Sequence, residues 1–185
     1  MKVDPIKDLK HVKNIKKLLA NCPRDRLLFI MGINSGMRVQ DLLGLRVQDV
    51  RGLKLGDSIT VKEQKTDKDN YIVLNKEIKS ALDAYLSERP HADEHYLFKS
   101  RKGRNYPLTT FRVTRLVKSW AEAVGAKGNF GAHTLRKTWT YQQRVVFKTS
   151  WEILAHRLNH SSPSITRRYL GVATEEVCEI LMNTI

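Results

Sequence analysis

Residues 159–172 read "NHSSPSITRRYLGV", a histidine followed nine residues later by a tyrosine with two arginines beside it. A phenol has a pKa near ~10 and is a weak nucleophile until nearby positive charge favours the phenolate. His160, Arg167, Arg168 and Tyr169 are therefore the residue types that an attack on an anionic centre requires. A lone late tyrosine is more often core or interface filler. The reading depends on whether the rest of the chain supplies an anion site.

Two stretches do. In "GAHTLRKTW", His133 and Arg136 stand i,i+3 on a helix expected to start after Gly131. Both project from one face near the helix N-terminus, where backbone N–H groups also favour an anion. A guanidinium fork with an imidazole suits the two non-bridging oxygens of a phosphodiester. In "SGMRVQDLLGL", Arg38 follows Gly36 at the end of an apolar helix, and Asp41 lies three residues on. The plain alternatives are a solvated helix face for the first pair and a surface ion pair for the second. Gly36 and its apolar flanks favour instead an arginine entering a partly buried pocket, with Asp41 orienting it. His156 and His160 have the i,i+4 spacing of a metal pair, but Arg157, Leu158 and Asn159 lie between them where a HExxH site needs glutamate. No metal is expected there. A hydrogen bond from His160 to an anion fits better.

The elements that position these residues follow from periodicity and punctuation. Asp4-Pro5 reads as a helix start, with Ile15, Leu18 and Leu19 on one side of the helix. Pro23 opens an apolar helix that should be buried and stop near Gly36, and a short helix follows over Val39–Leu43. The β-rich runs Ile59–Val61 and Tyr71–Leu74, separated by polar turn formers, predict a hairpin with a basic tip. Helical patterns then cover Ile78–Leu86, Thr110–Val124, Ala132–Val146, Trp151–Leu158, Ile165–Leu170 and Thr174–Met182. The fold class expected is mainly α with a small antiparallel β-sheet (α+β), in one domain spanning residues 1–185.

The 185 residues carry 33 Lys+Arg against 19 Asp+Glu, a net charge of +14. Because the excess is spread along the chain, the domain itself is basic and fits a polyanion. No apolar run approaches the ~20 residues that span a bilayer, and no signal peptide opens the chain. That makes nucleic acid the expected polyanion, ahead of a membrane face. Cys22 and Cys178 lack metal or CxxC spacing, so two free thiols in a reducing cytoplasm are the default.

Taken together, Arg…Lys…His-x-x-Arg…His…Tyr in this order, with "GMRVQDLLGL", "HTLR" and "LNHSSPSITRRYLG" as local contexts, resembles the tyrosine recombinase (phage integrase) family. The resemblance covers about residues 8–182 and implies the catalytic-domain fold of that family. It implies that Arg38 and Arg136 clamp the non-bridging oxygens of a scissile phosphate, and that His133 and His160 hydrogen-bond the same phosphate. Tyr169 would attack, leaving a 3′-phosphotyrosyl bond, and Asp41 would support the first arginine. The family's hairpin lysine, the general acid for the leaving oxygen, matches Lys65 best, with Lys62 and Lys68 as neighbours. Lys137, following "HTLR", touches no assigned role. The phosphodiester energy stays in the protein–DNA link, so no cofactor, ATP or metal is implied.

The resemblance further implies double-stranded DNA carrying an attachment or recombination site, a homotetramer on DNA from monomers in free solution, and accessory DNA-bending proteins. It places the protein in the cytoplasm of a bacterial cell or phage-infected host. Family members usually carry core-binding and arm-binding domains before this one. Here the likeness begins almost at Met1, as in an excised catalytic fragment or a short recombinase. The competing functions are a type IB topoisomerase and a non-catalytic DNA-binding module. The "HSSPSITRRYLG" context favours recombinase over the first, and affinity for DNA alone needs no tyrosine at residue 169. After it, Val177, Ile180, Leu181 and Ile185 form a helical stripe expected to pack on its own domain or to dock on a neighbouring subunit.

Overall fold

The structure is a computed structural model that describes residues 3–88, 90–171, 181–182 and 184. It divides into two compact units, Met1–Trp139 and Thr140–Ile185. Among the described residues no helix is long and apolar enough to cross a membrane. The stripe expected from Thr174 onward lies largely outside the described residues, as does Cys178, whereas Cys22 is a free, exposed thiol.

The first unit is built on helix α2 (Pro23–Ser35), whose residues Leu27 to Gly32 are all buried. Such a run leaves no polar stripe, so the helix must be surrounded. α1 (Leu9–Leu18), α3 (Val39–Leu43) and α4 (Lys76–Ser87) pack on it, and α5 (Thr110–Ala123) covers α1 and α3. α1 starts later than Asp4 predicts. Its N-cap is Asp8, whose carboxylate accepts from Lys10 N–H. Asp4 is drawn instead into a long-range set: its N–H donates to Asn129 O (2.7 Å), its carboxylate accepts from Asn129 N–H (2.8 Å) and its carbonyl accepts from Thr134 Oγ1 (2.8 Å). Leu18 is exposed, and Val12, Ile15 and Leu19 make the buried side.

Pro23 and Gly36 bound α2 as their chemistry requires: proline in the first turn needs no N–H partner, and Gly36 ends the helix at φ 67°. Gly36 has a second constraint. A Cβ there would lie 2.7 Å from the Trp139 ring on α6 (Ala132–Val145), so only glycine lets the end of α2 meet that helix. Gly36→Ala is expected to lower stability by roughly 2–4 kcal/mol, from left-handed strain plus overpacking. The check is a lower denaturation midpoint at unchanged slope; an unchanged midpoint would show the ring yielding freely.

Strands β1 (Ser58–Lys62) and β2 (Asp69–Val73) form the expected antiparallel hairpin, registered from Ser58 opposite Val73 to Lys62 opposite Asp69. Ile59, Val61, Asn70 and Ile72 face inward. The alternation continues past the strand, so residue 63 also turns inward. That residue is a glutamate, and it is fully buried.

The second unit contains α7 (Trp151–Arg157) packed on α8 (Pro163–Leu170). α7 ends in a Schellman motif: Asn159 takes the left-handed conformation (φ 52°), its N–H donates to His156 O, and His160 N–H donates to Ala155 O. His160 thus lies beyond the helix, and the i,i+4 helical pairing with His156 does not form. α8 has Ser162 as N-cap and Pro163 in its first turn, and it stops at Gly171 (φ 81°).

Candidate active site

In the first unit, Arg38 is the N-cap residue of α3, placed by the left-handed exit from α2. Its Nη1 lies 2.5 Å from Glu63 Oε2 and 4.0 Å from Asp41 Oδ2. Glu63 is therefore the arginine's nearer acid, and it was not among the residues that the sequence singled out. The signal was available: Ile59, Val61 and Glu63 share one face of a period-2 strand, and a buried carboxylate requires donors. It has them in Arg38, in Thr66 Oγ1 (2.6 Å) and in Asn70 Nδ2 (3.0 Å).

Asp41 is buried too, and its Oδ1 accepts from Gln64 N–H at 3.0 Å. Burial raises its carboxyl above the usual carboxylate range. Neighbouring Glu63 adds to the rise, while the Gln64 N–H, Arg38 and Arg136 oppose it.

α6 carries His133 and Arg136 as expected. At its start, Gly131 N–H donates to Thr134 Oγ1 and Ala132 N–H to Thr114 Oγ1, so these two N–H groups are engaged within the protein. Arg136 is 2% exposed, a cation held inside the protein. His133 opens to solvent, yet its imidazole pKa is lowered, first by the protein crowding the ring and then by the positive charges of Arg136, Arg38, Lys137 and Lys65.

Residues from α3, the hairpin tip and α6 are thus close enough to act on one imidazole. Lys65 is the hairpin lysine whose charge is among those lowering His133, while Lys62 is paired with Asp67 at 3.0 Å. Lys137 is buried, and its charge is among those lowering the His133 pKa.

In the second unit, the rings of His160 and Tyr169 meet edge to face, centroids 5.3 Å apart. His160 Nδ1 shares a 2.9 Å hydrogen bond with Thr166 Oγ1. Thr166 is fully buried and stands i,i+3 from Tyr169, so one face of α8 presents both to the histidine. Arg167, expected to favour the phenolate, lies over the Trp151 ring at 5.6 Å, with Arg144 over the same ring at 4.9 Å. Its charge is directed at the indole.

The arrangement supplies hydrogen-bond donors and cations for a phosphate in the first unit, and a phenol with an adjoining imidazole in the second. A family model described as the phage integrase family matches residues 9–176. The probable integrase/recombinase YoeC of Bacillus subtilis (strain 168) is 38% identical over 171 residues, covering 92% of this chain and 90% of YoeC. Tyrosine recombinase XerA of Thermococcus onnurineus (strain NA1) is 27% identical over 89% of this chain, which spans 58% of that protein. Among solved structures, a crystal structure of XerA recombinase superposes with TM-score 0.76 at 21% identity, covering 98% of this chain and 67% of its own. XerH recombinase bound to palindromic difH substrate, a post-cleavage complex, gives TM-score 0.74 at 24% identity, covering 99% of this chain and 54% of its own.

Proposed function

The chain belongs to the phage integrase family of tyrosine recombinases, and from that premise we propose that it cleaves and rejoins double-stranded DNA at a specific site, with Tyr169 as nucleophile. The observation that supports the site assignment is a pair of enclosed guanidinium groups in the first unit, Arg38 against Glu63 at 2.5 Å and Arg136 at 2% exposure, with the exposed His133 three residues from Arg136 on the same helix. A phosphodiester offers two non-bridging oxygens, which guanidinium forks and an imidazole N–H are suited to hold.

In this reading the guanidinium groups of Arg38 and Arg136 hold the non-bridging oxygens. His133 and His160 donate hydrogen bonds as charge builds on them. Tyr169 Oη attacks phosphorus as its phenol proton passes to solvent, the bond to the 5′ oxygen breaks, and Lys65 protonates that oxygen as it leaves. The 3′-phosphotyrosyl link conserves the phosphodiester bond energy, and a 5′-hydroxyl reverses the step to seal a strand, with no cofactor in the sequence of bonds. Asp41 supports Arg38 from behind.

The Tn1549 transposon integrase, which shares the fold, is solved in complex with circular intermediate DNA, and this supports DNA as the partner. Assembly as a homotetramer on DNA from free monomers, help from DNA-bending proteins and a cytoplasmic location in a bacterial cell or phage-infected host belong to the same proposal.

The test is a pool of nicked duplexes randomised across the site, in which the freed 5′ fragment diffuses away and traps the intermediate. A protein–DNA adduct that survives denaturant and joins the DNA 3′ end to Tyr169 is expected. A 5′ link, or no adduct from any duplex, overturns the reading.

Lys65→Ala should cleave such a substrate poorly but recover when the 5′ leaving oxygen is replaced by sulfur, which leaves with little help from a proton. Recovery in Lys62→Ala or Lys68→Ala instead moves the general acid along the hairpin.

A further inference from the structure

Glu63 lies at the junction between the arginine of α3 and the hairpin tip that carries Lys65. It is fully buried. Its Oε2 takes Arg38 Nη1 and Thr66 Oγ1, and its Oε1 takes Asn70 Nδ2. Its main chain closes the tip, with Glu63 N–H donating to Lys68 O (2.9 Å) and Asp67 N–H donating to Glu63 O (2.9 Å). One residue thus holds the turn around Lys65 through its backbone and the Arg38 guanidinium through its side chain. A second bond braces the same junction, from Gln64 N–H to Asp41. Asp41 spends that oxygen on the hairpin, and its other lies 4.0 Å from Arg38, too far for a hydrogen bond.

We propose that Glu63 is a positioning residue for DNA cleavage, holding the Arg38 guanidinium in the orientation that meets the scissile phosphate and tying it to the hairpin tip. The proposal rests on Arg38 contacting the phosphate. A long flexible side chain gains catalytic value from being held in place before substrate arrives, and a misplacement of ~1 Å costs on the order of 10²-fold in rate. The carboxylate does this from the side away from the substrate, since it is enclosed by protein.

The test compares E63Q, R38A and the double variant with the unmodified chain, on a duplex that the unmodified chain cleaves. Three versions of the scissile group are used: the phosphodiester, a methylphosphonate that lacks one negative oxygen, and a 5′-phosphorothiolate. E63Q is expected to cleave the phosphodiester about 10²-fold more slowly. On the methylphosphonate its deficit should shrink to within a few-fold, because an orienting acid matters less when there is less charge to clamp. On the phosphorothiolate the deficit should persist. The double variant should be no slower than R38A, as for two residues acting in one chain of contacts.

Undiminished phosphodiester cleavage by E63Q overturns the proposal, as does an equal deficit on all three substrates, which marks a merely structural role. Rescue by the phosphorothiolate alone reassigns Glu63 to Lys65. If R38A itself shows no larger deficit on the phosphodiester than on the methylphosphonate, the clamp reading of Arg38 fails first, and that result is separately visible. Should E63Q not fold, Thr66→Val removes one donor from Oε2 while keeping the acid, and the same pattern is expected with a deficit of about fivefold.

Discussion

Tyr169→Phe is expected to bind DNA as the unmodified chain does and to form no covalent adduct on a nicked duplex. The substitution removes one atom, the attacking oxygen, and leaves the ring. The edge-to-face packing on His160 needs only the ring, and α8 is capped by Ser162 and Gly171 at positions away from the hydroxyl. The loss therefore falls on chemistry and not on folding or affinity. Denaturing electrophoresis reads the adduct, and a mobility shift at low salt reads binding, which depends on lysine and arginine contacts to phosphate. An adduct formed by the phenylalanine variant would remove Tyr169 as the nucleophile.

Arg136→Lys is expected to slow cleavage by ~10²–10³-fold, the usual loss for one transition-state donor. The ammonium keeps the positive charge but has no planar fork, so it cannot hold two phosphate oxygens at once. Arg136 is the sharper test of the clamp because it is almost wholly enclosed, at 2% exposure, and has little room to be replaced by water. Single-turnover rates on the nicked duplex at saturating protein isolate this effect from binding. A rate near that of the unmodified chain would contradict the clamp.

Much of the fold was legible in the chain because its signals are local. Pro23 and Gly36 bound one helix, as their backbone chemistry requires, whereas α8 begins at Pro163, two residues before the expected Ile165, because Ser162 caps it. The hairpin followed from two runs of β-formers around a polar tip, while its register is read from the structure. Asp4 shows the limit of local signals. It and Asp8 are equally good caps by type, and the choice fell to Asp8 because Asp4 bonds to Asn129 and Thr134, more than a hundred residues away.

The same division runs through the site. Arg38, Lys65, His133, Arg136, His160 and Tyr169 could be named from residue type, order and local context, since each carries chemistry in its own side chain. Apart from Asp41, the side chains that contact them could not. Thr166 meets one nitrogen of His160, the charge of Lys137 bears on His133, and Arg167 lies over the Trp151 ring, and none of these follows from spacing along the chain. What the sequence by itself determined is which groups are present and where most of the helices and the hairpin lie along the chain. What only the tertiary structure decided is which acid holds Arg38: Asp41 is three residues away along the chain, but Glu63, twenty-five residues on, is closer in space. Electrostatic and hydrogen-bond energies fall with distance through space, and folding, not spacing along the chain, sets that distance.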